Sequence, residues 1–242
     1  MTPDLSGFAR PALQFSGGKD SLACLYLLRD QLDRVAVYWM NPGDGCPETL
    51  EIIDSVRAWV PHFVEVRGDV AAWREKFGMP SDLAPACGSV LGVAYGMSDV
   101  KVSSRFDCCY FNLMQPLHAR MLADGVDAVI RGTKLADTGK LPHEGHTGDY
   151  ALLLPLRDWS HAQVFEYLTS VDAPTNAVYE HLKGASAPEC MGCTAWWDDG
   201  KAQYLRERHP QAYQTYRVNL QTIRETLKSH MADLEHEIGG VP

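Results

Sequence analysis

Phe15-Ser16-Gly17-Gly18-Lys19-Asp20-Ser21 is the stretch from which the rest of the chain can be read. It lies between a predicted strand, Pro11 to Phe15, and a predicted helix, Asp20 to Leu32. In that helix Leu22, Leu25, Leu28 and Leu32 recur with a period near 3.6. The two glycines let the backbone turn tightly and come close to a phosphate. The helix N-terminus presents free amides and a positive partial charge to an anion. Ser16 and Ser21 can donate hydroxyl hydrogen bonds, and Lys19 supplies a point charge. Asp20, at the helix start, can hold a magnesium ion. An ordinary Gly-rich turn capped by Ser and Asp is the bland alternative, but the full string with these flanks is far more specific. It is not the Gly-x-x-x-x-Gly-Lys-Ser/Thr loop of common nucleotidases.

Working outward, apolar runs alternate with helical patterns. Val35 to Met40 reads as a strand buried on both faces, and His62 to Val66, Ala128 to Arg131 and Ala151 to Leu154 as further strands. Glu48 to Val60, Ala71 to Phe77 and Met114 to Ala123 read as helices. Ser160 caps another helix that runs through Leu168. A long helical pattern follows Pro210 to about Glu237. The order strand, helix, strand, helix predicts a mostly parallel sheet with helices on both faces, and ligands at the carboxyl ends of the strands. Gly78 to Asp107, rich in Gly, Pro and Ser, reads as an irregular excursion. We expect a single domain over 1–242, with a C-terminal helical extension, 195–242, packed on it.

The bulk numbers exclude several classes. The chain has 242 residues, 45% hydrophobic and 22% charged, as in an ordinary globular α/β protein. No window approaches the roughly 18 uninterrupted apolar residues of a membrane span. Met1 to Arg10 carries Asp4 and no apolar core, so it does not read as a signal peptide. A cytoplasmic location is the expectation. The net charge of −9 disfavours a broad grip on duplex nucleic acid but permits a local basic pocket for one nucleotide. Seven cysteines without a signal argue for metal or redox chemistry rather than a disulfide framework.

Four of those cysteines are paired in sequence. Cys108 and Cys109 are adjacent, and Cys190 and Cys193 form a C-x-x-C. Four thiolates from two clusters can enclose a [4Fe–4S] cluster or a zinc ion. Adjacent cysteines reach one tetrahedral ion poorly, whereas a cubane offers them separate iron corners, so Cys108, Cys109, Cys190 and Cys193 are expected to hold iron–sulfur. The alternative is four buried cysteines acting as small apolar residues. Cys24, on the amphipathic helix, reads as core. Cys46 and Cys87 lie in predicted loops.

These residues together resemble the phosphoadenosine phosphosulfate (PAPS) reductase family, within the PP-loop ATP pyrophosphatase superfamily. The likeness runs from about Leu13 to Thr194. The Ser16–Ser21 string resembles the loop of enzymes that split ATP between the α- and β-phosphates. Asn41-Pro42-Gly43 through Pro47-Glu48-Thr49 resembles a family Asp-Thr-Gly-x-x-x-Pro-Glu-Thr segment. Cys108-Cys109 with Gln115-Pro116-Leu117 resembles the segment of the cluster-bearing members. Arg131-Gly132-Thr133-Lys134 resembles a Gly-x-Arg segment whose basic residue contacts substrate. Leu154-Pro155-Leu156 with Asp158-Trp159-Ser160, and Gly192-Cys193-Thr194, resemble two more. The resemblance implies a parallel five- to six-stranded sheet, an adenine nucleotide along the loop, a cluster beside its far end, and sulfur chemistry. On it Gly43, Arg131 and Gly132 join the nucleotide-binding residues, and Lys19, Asp20 and Lys134 are expected to be catalytic; Lys140, which with Lys134 flanks a polar loop at the sheet's carboxyl end, reads as a further phosphate or sulfate contact or as a solvated lysine.

Three departures shape the functional expectation. The segment after Cys193 has no cysteine, where reductases carry a nucleophilic one, leaving Cys46 or Cys87 as substitutes. The loop string is intact, where reductases that bind a sulfonucleotide generally have a degraded one. A family lysine after the Cys-Cys pair aligns with Leu113. The first expectation is therefore ATP-dependent adenylation and sulfur transfer, releasing pyrophosphate. The second is reduction of adenylyl sulfate or PAPS to sulfite with a thioredoxin-like reductant. The third is a non-catalytic nucleotide and redox sensor. The partners implied are a sulfur donor or that reductant, with a nucleic-acid acceptor disfavoured by charge. A homo-oligomer is compatible with all three. Lys134 reads equally as a phosphate ligand or a solvated lysine, and His143 and His146 around Glu144 as a surface loop rather than a metal site. His161, His181 and His209 read as surface residues, and Trp196-Trp197 as packing over the cluster.

Overall fold

The computed structural model describes residues 2–97, 99–146, 148–182, 187–197 and 200–239. Three strands and three helices alternate first: β1 (Pro11–Phe15), α1 (Lys19–Leu27), β2 (Ala36–Asn41), α2 (Pro47–Arg57), β3 (Phe63–Arg67) and α3 (Val70–Phe77). A short insertion follows, with β4 (Met79–Ser81), α4 (Val90–Ala94) and β5 (Val102–Ser104). Then come α5 (Arg105–Cys109), α6 (Gln115–Ala123), β6 (Ala128–Ile130), α7 (Leu135–Thr138), β7 (Gly145–His146), β8 (Ala151–Leu153) and α8 (His161–Ser170). The chain closes with α9 (Lys201–Arg208) and α10 (Pro210–Glu237).

The main sheet has the order β3-β2-β1-β6-β8-β7. All pairs are parallel except the edge pair β7–β8, which is antiparallel, so the expected parallel sheet has one reversed edge strand. Leu13 and Phe15 of β1 pack with α1, α2 and α8 in one core. On the opposite face Ala12 and Tyr38 pack with Met121 and Val129. Covering both faces is what requires near-continuous apolar strands. Strand order reverses between β1 and β6, and that crevice is where open α/β sheets take ligands.

Two expectations are corrected. Residues 78–107 are not irregular: β4 and β5 form a separate two-stranded parallel sheet. Strands of three residues are too short to show alternation, so the pattern was invisible. The first helix ends at Leu27, not Leu32, because the Leu28 amide donates to both Cys24 and Leu25 carbonyls and the chain tightens into a 3-10 turn at 29–31. The turn still buries Leu28 and Leu32. Cys24 is core, as expected. Among the described residues no helix is long and apolar enough to cross a membrane.

Candidate nucleotide cleft and cysteine site

The loop after β1 is built by its own side chains. Gly17 has φ +76°, and a Cβ there would lie 2.8 Å from Thr49 Cγ2, so both conformation and space demand glycine. The Ser16 amide donates to Ser21 Oγ (3.1 Å), which donates to the Gly18 carbonyl (3.0 Å). The two serine oxygens are 3.2 Å apart. Both hydroxyls thus brace the loop internally.

Beneath the loop runs a chain of alternating charge. Lys19 Nζ lies 2.8 Å from Asp20 Oδ2, and Lys134 Nζ lies 2.8 Å from Asp20 Oδ1 and 2.5 Å from Asp137 Oδ1. His161 Nε2 follows, 3.9 Å from Asp137 Oδ1. Lys134 is fully buried, which rules out the solvated reading. Burial holds the Lys19 pKa below its ordinary value, against the pull of Asp20. Burial, then the charges of Lys134 and Lys19, also lowers the pKa of His161, so this histidine is not an ordinary surface residue. Asp20 already bridges two ammonium groups, and these compete with any magnesium ion for its carboxylate. Gly132 seats β6 against this centre, since a Cβ there would lie 2.7 Å from the Asp20 carbonyl carbon.

A cleft of about 750 Å³ opens above. Ser16, Asp20, Ser21, Arg131, Gly132, Cys109 and Glu189 all line it. Lys19 and Lys134 support the floor from below through Asp20 and Asp137. Gly43 (φ +76°) and the exposed Lys140 are not on this wall. Glu189 still meets solvent, and desolvation within the cleft pushes its carboxyl up to about 7.

The topology brings the four paired cysteines into one neighbourhood. Cys108 and Cys190 are buried in one cluster with Val70, Trp73 and Phe77, and Cys193 packs against it. Cys109 follows Cys108 directly on α5. Burial first, then neighbouring thiols, pushes Cys108 up to about 12 and Cys109 up to about 11. A π turn over Tyr110–Met114 follows the tandem pair, and buried Asn112 donates to the Cys108 carbonyl (3.0 Å). Among the described residues, no three His, Cys, Asp or Glu side chains converge on a single-ion site.

The C-x-x-C turn is locked by residues that sequence reading missed. Asp44 accepts from the Gly192 amide (3.0 Å) and pairs with Arg74 (2.7 Å). Lys201, 2% exposed, donates to the carbonyls of Cys190 (3.1 Å) and Cys193. Thr194 donates to the Pro80 carbonyl (2.6 Å). No local pattern marks such partners, because they are far apart in sequence.

Five further expectations change. Trp196 and Trp197 are partly exposed instead of packed over the thiols: Trp196 stacks on the Arg105 guanidinium (3.9 Å), and both amides donate to Asp82. His209 is no bystander, since it lies 3.1 Å from Glu48, which also accepts from the Tyr204 hydroxyl (2.6 Å). His181 lies 3.1 Å from Glu207. Cys46 is fully buried at the start of α2, with its thiol pushed up to about 11 by burial, which disqualifies it as an accessible nucleophile. Cys87 lines a separate groove along α10, away from the cleft.

A Gly-rich loop thus follows the first strand of a doubly wound sheet at the point where strand order reverses, which defines an open α/β fold with its candidate site at the switch point. Residues 10–84 match the family model described as "Phosphoadenosine phosphosulfate reductase domain". A curated relative is similar to the chain as well. That relative, an adenosine 5'-phosphosulfate reductase of Burkholderia cepacia, is 28% identical over 165 residues, 66% of this chain. The chain spans 60% of the relative's length. Similar solved structures include a Candida auris PAPS reductase in a phosphate complex, with 17% identity and TM-score 0.48, over 70% of this chain and 76% of that one. A Candida glabrata FMN adenylyltransferase in complex with ATP has 14% identity and TM-score 0.42, over 71% and 50%.

Proposed function

We propose that this protein is an enzyme of adenine-nucleotide-dependent sulfur chemistry. The observation that carries the reading is a single cleft lined both by Ser16, Asp20 and Ser21 of the loop and by Cys109. A nucleotide lying along it has its phosphates at the loop and its reacting end at the cysteines. Arg131, on the wall, meets phosphate oxygens as a charge-assisted donor. The helix α1 dipole and Lys19 stabilise charge that builds on a leaving phosphate.

The intact Ser16–Ser21 string supports ATP as the nucleotide. An acceptor attacks the α-phosphorus, the bond to the bridging oxygen breaks, and pyrophosphate leaves toward the loop. Asp20 and Lys134 hold Lys19 in place and do not touch the reacting atoms. Cys108, Cys109, Cys190 and Cys193 are the residues that would hold a [4Fe–4S] cluster, supported by their thiol chemistry and by the shared cluster of Cys108, Cys190 and Cys193. When bound, that group supplies electron transfer or a sulfur-binding iron. The family match supports a second reading, reduction of a sulfonucleotide to sulfite with a thioredoxin-like reductant.

Anaerobically purified protein, given ATP, adenylyl sulfate and PAPS separately, separates the two. Pyrophosphate from ATP without sulfite supports the first. Sulfite with ATP intact overturns the first in favour of the second. Neither product from any tube overturns both and leaves a nucleotide sensor.

A further inference from the structure

The phosphate loop has a contact that none of its own residues supplies. Tyr179, in a 3-10 turn at Ala177–Glu180, places its hydroxyl 2.9 Å from the Lys19 amide, which donates to it. The same oxygen lies 3.1 Å from where a Gly18 Cβ would stand. The turn is fixed there by buried Asn176, whose amide donates to Thr49 Oγ1 (2.9 Å) and to the Gly17 carbonyl (3.5 Å). The ring packs edge-on against Phe165 (5.7 Å), with the Lys19 ammonium 5.4 Å from its centroid.

The Lys19 amide is one of the orphan donors that a helix N-terminus offers an anion. Here it is already used. A phenolic oxygen that accepts keeps one donor, its own proton. Among the described residues the hydroxyl proton meets no acceptor.

We propose that the Tyr179 hydroxyl is the outermost hydrogen-bond donor of the phosphate loop and binds an oxygen of the nucleotide's phosphate chain. The loop's amide is relayed through the phenol, so the anion is held one hydroxyl beyond the Lys19 amide. This rests on the nucleotide reading above and adds a residue from outside the segment matched by the family model.

The test is calorimetric titration of ATP into the full chain and into Tyr179→Phe, with the nucleotide-free melting temperature of each. Phe keeps the ring contacts and removes only the hydroxyl. A hydrogen bond to a charged group is worth enough for a loss of about tenfold in affinity. A loss above threefold, with melting temperatures within about 4 °C, is the expected result. Affinity within threefold, or tighter binding as a displaced plug would give, overturns the proposal. So does a loss accompanied by a larger melting shift, which assigns Tyr179 to loop stability. If the wild-type chain binds no ATP, the ATP reading fails first and the proposal falls with it.

Discussion

Lys134 has no surface in contact with water, yet its ammonium meets two carboxylates, Asp20 and Asp137. Removing one member of such a group strands the others without compensation. Lys134→Met should therefore cost about 3 kcal/mol of stability, read as a lower urea midpoint with unchanged slope. A loss under about 1 kcal/mol would mean that the charge chain contributes little. Gly132→Ala pushes a methyl into the Asp20 backbone and should weaken ATP binding more than it lowers the melting point, since the strain falls on the loop. At this scale the sequence was informative where residue type is forced. Gly17 had to be glycine, and the Ser-Gly-Gly-Lys-Asp-Ser string announced its use. The burial of Lys134 was not legible, because a lysine at a strand end looks the same whether it is solvated or paired.

Glu48 joins three elements: it starts α2, accepts from Tyr204 of α9, and lies beside His209 at the head of α10. Desolvation pulls its carboxyl up, but the Tyr204 hydroxyl, its own backbone amide and His209 outweigh that and hold it below its ordinary 4.5. A depressed folded pKa means the unfolded chain binds the proton more readily. The resulting stability is present above about pH 4.5 and is lost as pH falls through the lower folded value. Glu48→Gln should flatten the acid limb of a stability–pH curve and leave its shape near neutrality unchanged. An acid limb as steep as wild type would show that other carboxylates set it. Ser160→Ala removes a reciprocal cap with Gln163 and should cost about 1 kcal/mol. That cap was readable from the sequence, as were the apolar runs of β1 and β2. The β4–β5 pair and the π turn were not. Short strands carry no period, and a π turn is set by the packing of Asn112 beneath Cys108.

Across the whole molecule, residues as far apart as Gln14 and Glu189 meet at one cleft. The spacing of the cysteines foretold their association, but the braces that hold Cys190–Cys193 came from Asp44, Arg74 and Lys201, which no motif links. If the loop and the cysteines are distinct sites sharing a wall, they should be separable by mutation. Cys109 faces the cleft and Cys190 is buried in the cluster, so Cys109→Ser and Cys190→Ser challenge the thiol set from opposite sides. After anaerobic reconstitution the wild type should carry about four irons per chain, and either variant fewer than half as many. ATP affinity should stay within about threefold, because the loop is braced by its own serines and by Asn176 and not by the thiols. Unchanged iron in both variants would remove these cysteines from the ligand set. Iron and ATP lost together would show that the cleft forms only as a unit, with the thiol cluster supporting the phosphate loop across it.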